Sequence, residues 1–282
     1  MTIYTTITDI RQAVADARRR SDVIGFVPTM GALHEGHASL VRAAAGRGGF
    51  AVVSIFVNPT QFGPNEDFGA YPRTLAEDAA LCESAGATAI FAPSVAEMYP
   101  QPGLTDVQIR ALGENLCGAS RPGHFTGVCT VVSKLFHIVQ PDVAYFGAKD
   151  FQQSAIIRRM TEDLNFPVEI VVCPTVREGD GLAMSSRNRY LTPSQRAVAP
   201  ALFRSLQAAA AAIRERHPSA DTVGAMIRAH LADEVPEGVV DYIQLVDPRE
   251  LRDVQTTDGP VLIALAVRLG KARLIDNIVV GC

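Results

Sequence analysis

The stretch "VIGFVPTMGALHEGH" (residues 23–37) decides the fold, because an apolar run leads into a glycine-bearing turn and two histidines. The run "VIGFV" (23–27) predicts a buried strand. His34 and His37 stand three residues apart, so a helix would place them on one face. Because the first strand-to-helix turn of an open α/β sheet usually holds phosphates, the stretch predicts the start of such a sheet.

Zinc is the first ligand to consider for the histidine pair, because zinc proteases carry H-E-x-x-H on one helix. That pattern needs a second histidine at residue 38, which is Ala38. The pair therefore points to another ligand, such as a multiply charged anion. The next helix, predicted from "HASLVRAAA" (37–45), would direct free N–H groups and its positive dipole end at that anion. The alternative is that both histidines only cap the helix.

Further apolar runs alternate with amphipathic stretches, which is typical of a parallel sheet with crossover helices. The runs are "FAVVSIFV" (50–57), "ATAIFA" (87–92), "DVAYFG" (142–147) and "VEIVVC" (168–173). Residues 128–139 carry one apolar stripe and predict a helix that ends at Gln140. The predicted fold class is α/β, with a Rossmann-like parallel sheet.

The pattern changes after about residue 176. "LTPSQR" (191–196) opens a long predicted helix, and a second helix is predicted over 219–234. Three strand-like segments follow, namely "VVDYIQLV" (239–246), "PVLIALAVRL" (260–269) and "ARLIDNIVV" (272–280). We therefore place the Rossmann-like domain at 1–176 and a smaller α+β domain, which we expect to act as a lid, at 177–282.

Composition excludes several classes of function. The formal net charge of −4 over 282 residues gives no general attraction to the nucleic-acid backbone. No apolar run approaches the roughly 20 residues of a membrane-spanning helix, and the N-terminus lacks the pattern of a secretory signal. The five cysteines form no C-x-x-C pair, which predicts reduced thiols. We expect a cytoplasmic enzyme with no nucleic-acid or membrane partner.

Several segments together carry a resemblance to a known family. They are "FVNPTQF" (56–62), "YPRT" (71–74), "RPGHFTGV" (121–128), "FGAKDFQQ" (146–153) and "DGLAMSSRNRYL" (180–191). The H-x-G-H motif is similar to the signature of the nucleotidyltransferase superfamily. The ordered set, which covers nearly the whole chain, closely resembles the pantothenate synthetase (pantoate–β-alanine ligase) family.

The resemblance implies an ATP-dependent ligase that condenses (R)-pantoate with β-alanine through an enzyme-bound pantoyl adenylate, releasing AMP and pyrophosphate. It also implies Mg²⁺ as a cofactor and a homodimer. His34, His37, Lys149 and Arg187 are the implied catalytic residues, and we expect His37 to donate a proton.

The implied ATP-binding residues come from the H-x-G-H turn, the "GAKD" stretch and the "MSSR" loop, which is similar to the mobile "KMSKS" loop of tRNA synthetases. They are Met30, Gly31, Ala32, Leu33, His34, Glu35, Gly36, His37, Gly147, Ala148, Lys149, Asp150, Val176, Met184, Ser185, Ser186 and Arg187. Family members usually carry Glu where this chain has Ala148. Because Lys149 and Asp150 are present, we expect nucleotide binding to survive that departure.

The resemblance assigns the substrate amides to Gln61 and Gln153, and Asn58 projects into the same predicted crevice. The alternatives are a simple turn at "NP" and a helix-surface amide at Gln153. Glu77 and Asp78 could help to hold magnesium, although exposed acids in the first turn of a helix are the simpler explanation. We assign no metal ligand from the sequence.

Other functions compete with this interpretation. A nucleotidylyltransferase would release a stable activated product and would need no amine acceptor. A tRNA-charging enzyme fits poorly with the acidic charge and the short C-terminal domain. A nucleotide-binding module without catalysis is the third possibility, and Ala148 is its only support.

Overall fold

The computed structural model describes residues 1–64, 66 and 68–281. The chain forms two compact units. The first consists of Met1–Ile109, Arg121–Ala148 and Ile156–Pro174, and the second of Arg110–Ser120, Lys149–Ala155 and the chain from Thr175 onwards. The domain division at residue 176 stays a prediction.

The first unit contains a six-stranded sheet whose strands all pair in parallel, in the order β1-β4-β3-β2-β5-β6. Its strands are β1 (Thr2–Tyr4), β2 (Ile24–Thr29), β3 (Phe50–Ile55), β4 (Ala89–Phe91), β5 (Val143–Gly147) and β6 (Glu169–Cys173). The helices of the chain are α1 (Ile7–Arg19), α2 (Glu35–Gly46), α3 (Leu75–Ser84), α4 (Val95–Met98), α5 (Cys117–Ser120), α6 (His124–Val139), α7 (Phe151–Asp163), α8 (Pro193–Val198), α9 (Ala201–Arg216) and α10 (Ala220–Glu234).

The second unit contains an antiparallel sheet in the order β7-β8-β9. Its strands are β7 (Val239–Val246), β8 (Val261–Leu269) and β9 (Ala272–Val280). Leu202 and Leu206 of α9 belong to one buried cluster with Ile263 and Leu265 of β8. Burial of these apolar side chains stabilises the unit through the hydrophobic effect.

The predicted α/β class with a smaller α+β part is confirmed. Two details of the prediction are wrong. The strand before the H-x-G-H motif is the second in the chain, because the short β1 precedes it. The long helix predicted from residue 191 is two helices, α8 and α9, since Pro200 lies between them and has no backbone N–H to continue the ladder.

Sheet topology positions a crevice at the carboxyl ends of β2, β3 and β5. The strand order reverses between β2 and β5, which are neighbours through the pairs Gly25–Val143 and Phe26–Ala144. On the other side of β2, Thr29 pairs with Ile55 at the ends of both strands. Ligands of open α/β sheets bind at such a reversal, outside the carboxyl ends of the strands. Among the described residues, no helix is both long and apolar enough to cross a membrane.

Candidate active site

The turn between β2 and α2 has an unusual backbone. Gly31 and Ala32 both have positive φ, +85° and +50°. Gly31 adopts this conformation without strain, whereas the Cβ of Ala32 opposes it. The turn then delivers His34 in an extended conformation as the N-cap of α2. The helix therefore begins at Glu35, two residues before the predicted start.

Both histidine rings cap α2. The Nδ1 atom of His34 accepts from the Gly36 N–H at 3.1 Å, and the Nδ1 atom of His37 accepts from the His34 N–H at 3.3 Å. The ring centroids lie 4.1 Å apart. The alternative that both histidines cap the helix is therefore confirmed for their hydrogen bonds. The prediction that the helix start has free N–H groups is wrong for Gly36, whose N–H donates to His34.

Capping also fixes the chemistry of the two rings. A neutral imidazole has one acceptor nitrogen and one N–H donor. Because Nδ1 accepts in each ring, the proton of the neutral form lies on Nε2. Each half-buried ring thus carries a hydrogen-bond donor at its distal end, which is the group that a phosphate oxygen requires.

Asp78 lies beside this turn and is buried, with 2% of its surface exposed. Its carboxylate accepts from the N–H groups of Ala32 (3.1 Å) and Leu33 (2.7 Å). The expectation of two exposed acids is therefore correct for Glu77 and wrong for Asp78. Asp78 looks exposed in a sequence because it falls in the first turn of α3, and only the tertiary fold brings the β2–α2 turn over it.

The segment after β3 brings a buried amide pair to the same crevice. Asn58 and Gln61 are 1% and 8% exposed; Asn58 caps the 3₁₀ turn Pro59–Gln61, and Gln61 is its last residue. Asn58 Nδ2 donates to Gln61 Oε1 at 3.1 Å, and Gln61 Nε2 donates to the Sδ atom of Met30 at 3.1 Å. The structure therefore brings the predicted residues Met30, Asn58 and Gln61 together, and Gln61 is held with its NH₂ group directed outward from Asn58.

The backbone of Gln61 is held separately. His124 Nδ1 lies 2.8 Å from the Gln61 carbonyl oxygen, and Arg121 Nη1 lies 3.0 Å from His124 Nε2. Since a guanidinium can only donate, His124 accepts at Nε2 and donates from Nδ1. Arg121 also makes two 2.6 Å hydrogen bonds to Glu66, and these bonds lower the pKa of that carboxyl. His124 is thus a structural histidine that orders Gln61.

Tyr99 completes the support of this amide pair, and no sequence signal marked it. Its hydroxyl donates to Asn58 Oδ1 at 2.9 Å, and Thr60 Oγ1 donates to the same oxygen at 3.0 Å. Burial raises the pKa of Tyr99, so its hydroxyl keeps its proton. With Oδ1 surrounded by donors, Nδ2 of Asn58 must face Gln61.

Tyr99→Phe is expected to lower the free energy of unfolding by about 1 kcal/mol, the usual net value of one hydrogen bond. The loss is modest because Thr60 still donates to Asn58. Denaturant unfolding of the two proteins measures it. A variant as stable as the parent would show that the hydroxyl contributes nothing to holding Asn58.

The second unit carries other residues that the sequence predicts to bind ATP. Lys149 Nζ lies 3.7 Å from Asp150 Oδ2, and the Lys149 carbonyl accepts from Asn277 Nδ2 at 2.9 Å. Lys149 and Ser185 line one small cavity together with Asp276. The structure therefore brings together two residues, Lys149 and Ser185, from stretches that the sequence treats separately.

An ion pair between partly buried Arg177 and buried Asp276 anchors the loop that carries Ser185. Arg177 makes hydrogen bonds of 2.7 and 2.9 Å to Asp276, and its guanidinium lies 3.4 Å from the Phe203 ring centroid. The Met184 N–H donates to the Val176 carbonyl at 3.0 Å. Ser185 Oγ accepts from the Arg187 N–H at 3.2 Å, which caps the 3₁₀ turn Ser186–Tyr190. The side-chain oxygen of Ser185 thus serves as the N-cap acceptor of that turn.

Two adjacent glutamines on α7 have different roles. Gln152 is buried, and its amide accepts from Cys117 N and donates to the carbonyls of Leu112 and Asn115. Gln153 is only partly buried. Gln152 is therefore structural, and Gln153 keeps its predicted role as the candidate for substrate.

Metal-binding side chains do not cluster in the described part of the chain: it contains no group of three His, Cys, Asp or Glu residues placed to hold an ion. Both oxygens of Asp78 already accept from backbone N–H groups. The side chains therefore do not fit a preformed magnesium cage. Mg²⁺ usually keeps several waters and binds through substrate phosphates.

Comparison with known proteins gives full-length matches. The family model described as pantoate-beta-alanine ligase matches residues 2–279. Pantothenate synthetase from Moorella thermoacetica is 54% identical over 99% of this chain and 98% of the relative. A crystal structure of pantothenate synthetase from Thermus thermophilus has 46% identity and a TM-score of 0.93, covering 99% of both chains.

A second solved structure was determined with ligands. It is pantoate-beta-alanine ligase from Francisella tularensis, described as complexed with beta-gamma ATP and beta-alanine. It is 34% identical, with a TM-score of 0.80, and the match covers 99% of this chain and 97% of that one.

Proposed function

Because this chain belongs to the pantoate–β-alanine ligase family, we propose that it joins pantoate to β-alanine with ATP, giving pantothenate, AMP and pyrophosphate. The observation that carries the proposal is the match over residues 2–279. Relatives named pantothenate synthetase are more than 50% identical over almost the whole of both chains. The chain is a ligase.

Adenylation makes the pantoate carboxylate reactive. A carboxylate repels an incoming amine and has no good leaving group. One carboxylate oxygen attacks the α-phosphorus of ATP in line, the bond from that phosphorus to the bridging oxygen breaks, and pyrophosphate leaves with the electron pair. Positioning and charge stabilisation supply most of the catalysis of such a step.

The histidine turn supports this step chemically. With Nδ1 of each ring used as a cap acceptor, Nε2 of His34 and of His37 is the donor. These donors stabilise the charge that develops on the phosphate oxygens, and His37 is the residue that donates a proton. The backbone of the turn also contacts the nucleotide, through residues 30–33, Glu35 and Gly36.

Residues of the second unit contribute charge. Lys149 neutralises the triphosphate, and Asp150 accepts from a ribose hydroxyl. Ser185, Ser186 and Arg187 hold the β- and γ-phosphates as pyrophosphate leaves.

The remaining nucleotide contacts are less charged. Val176 packs near the adenine, and Met184 adds a nucleotide contact from the loop. Gly147 is the last residue of β5, and Ala148 directly follows it. Ala148 brings no carboxylate to this stretch, so charge there comes from Lys149 and Asp150.

Pantoate and β-alanine bind through amides. Gln61 accepts from Asn58, so its NH₂ group is the part that meets an acceptor on pantoate, such as a carboxylate or hydroxyl oxygen. Asn58 orients Gln61, and Gln153 supplies the second amide.

Amide formation needs no enzyme nucleophile. The deprotonated amine of β-alanine attacks the carbonyl carbon of the mixed anhydride, the carbon–oxygen bond to phosphate breaks, AMP leaves, and the nitrogen loses its extra proton. Burial raises the pKa of Cys82 and of Cys129 to about 12, so both stay protonated and are poor nucleophiles. Exclusion of water protects the anhydride meanwhile.

The phosphates of ATP would provide the oxygen ligands of Mg²⁺, and the ion would neutralise charge on the polyphosphate. We expect the protein to work in the cytoplasm, as a homodimer, with no nucleic-acid or membrane partner.

Incubation with ATP, Mg²⁺, pantoate and β-alanine, omitting each in turn, tests the proposed function. AMP formation is expected to need all four, whereas exchange of labelled pyrophosphate into ATP needs pantoate but not β-alanine. Pyrophosphate release with a stable adenylylated product and no demand for amine would identify a nucleotidylyltransferase. ATP binding without pyrophosphate release would identify a non-catalytic module.

A further inference from the structure

The turn that carries the two histidines holds a conformation that its own sequence disfavours. Ala32 has φ of +50°, a region in which the Cβ atom crowds the following carbonyl. Ala32 is also 1% exposed, so water does not support its backbone. Contacts from elsewhere in the first unit must therefore stabilise the turn.

Asp78 makes those contacts. Oδ2 accepts from the Ala32 N–H at 3.1 Å, and Oδ1 accepts from the Leu33 N–H at 2.7 Å. Thr74 Oγ1 lies 3.3 Å from Oδ1 and donates to it. A Cβ on Gly31 would lie 3.0 Å from Oδ2, so the carboxylate also packs against the first residue of the turn.

A carboxylate meets these requirements, and an amide does not. It accepts hydrogen bonds on both oxygens, whereas an asparagine amide accepts on one and donates from the other. An amide here would oppose one of the two backbone N–H groups and leave it buried without an acceptor. Since Leu33 directly precedes His34, a shift of its N–H moves the N-cap and both rings.

We propose that Asp78 is a positioning residue for nucleotide binding: its buried carboxylate fixes the left-handed turn at Gly31 and Ala32 and so sets the places of His34 and His37. This inference rests on the proposed function, because it assumes that the histidines bind phosphate. It assigns Asp78 a different role from that of a magnesium ligand, since its oxygens are directed to backbone N–H groups.

Asp78→Asn is expected to raise the dissociation constant for ATP about tenfold, by the same factor in EDTA and in Mg²⁺. Isothermal titration of the full chain measures both. The KM for pantoate at saturating ATP is expected to stay unchanged, because the Gln61 network does not involve Asp78. Glu83→Gln, which removes an exposed carboxylate from the same helix, is the matched control and should bind ATP normally.

A second substitution separates positioning from general damage. Ala32→Gly in the Asp78→Asn background is expected to recover about threefold of the lost ATP affinity, because glycine adopts positive φ without strain. Thr74→Val, a milder variant, should weaken ATP binding about twofold in the same direction. It keeps the test decisive if Asp78→Asn fails to fold.

Three results overturn the inference: unchanged ATP affinity in Asp78→Asn and Thr74→Val, a loss confined to Mg²⁺-containing buffer, or no recovery with Ala32→Gly. A loss that needs Mg²⁺ would make Asp78 a metal ligand. Failure of the parent protein to bind ATP or release pyrophosphate would instead reject the proposed function. The two failures are therefore distinguishable.

Discussion

His34→Asn and His37→Asn are each expected to slow pantoate-dependent exchange of pyrophosphate into ATP by about a hundredfold or more, the usual effect of removing a donor to developing charge. Both variants should fold normally. Asparagine is a preferred N-cap residue at position 34, and at position 37, the third residue of α2, its Oδ1 can take the place of the Nδ1 acceptor. The substitution thus keeps the capping bonds to Gly36 N and His34 N and removes only the distal Nε2–H.

Alanine variants complete the comparison. His34→Ala removes the cap as well, which should lower the free energy of unfolding by about 1 kcal/mol. His37→Ala should also abolish exchange. His230→Asn, on α10 beside Glu234, is the matched control and should exchange at the parent rate. Near-normal exchange in both asparagine variants would show that the histidines only cap α2.

Gly127→Ala is expected to raise the KM for pantoate about a hundredfold, since a misplacement of about 1 Å in a positioning group has effects of that size. A Cβ at Gly127 would lie 2.4 Å from the Thr60 carbonyl oxygen and 2.8 Å from Gln61 Cα. Both atoms belong to the backbone, so α6 and the 3₁₀ turn must move apart. The Asn58 Nδ2 bond to the Gly127 carbonyl, at 3.2 Å, would be strained by the same shift.

The sign of the stability change distinguishes overpacking at Gly127 from the ordinary effect of helix propensity. Glycine to alanine inside a helix ordinarily stabilises by about 0.5–1 kcal/mol. At Gly127 we expect a loss of about 1–3 kcal/mol from overpacking instead. Gly224→Ala in α10 is the matched control, because its Cβ would meet only Arg228 Nη1 at 3.5 Å, an ordinary contact. Equal stability changes and an unchanged pantoate KM would refute the argument.

Much of the fold follows from local patterns. The five predicted strands of the parallel sheet and the three strands after residue 238 are present, because continuous apolar runs mark buried strands directly. β1 escaped prediction because three residues are too short to show a period. Pro200 is visible in the sequence as a residue that interrupts helices. The apolar stripe continues past it, however, and so favours one long helix.

The site was predictable in part. Residue patterns and family resemblance predict the turn, the amide pair and the "MSSR" loop as site candidates, yet they give neither the capping bonds of the histidines nor the partner of each amide. Asp78 and Tyr99 are distant from their partners along the chain, and nothing in the stretches around them marks a partner. Their roles depend on hydrogen bonds across 45 and 41 residues of sequence.

The sequence by itself determined the layers of the fold, the family, and which stretches are candidates to carry the chemistry, because periodicity and short motifs are local properties of the chain. Only the tertiary structure decided how those stretches are held: which nitrogen of each histidine carries the proton, which amide of the two neighbouring glutamines is structural, and which carboxylate stabilises a left-handed alanine. These choices depend on hydrogen bonds between residues far apart in sequence. Such bonds exist only after the chain has folded.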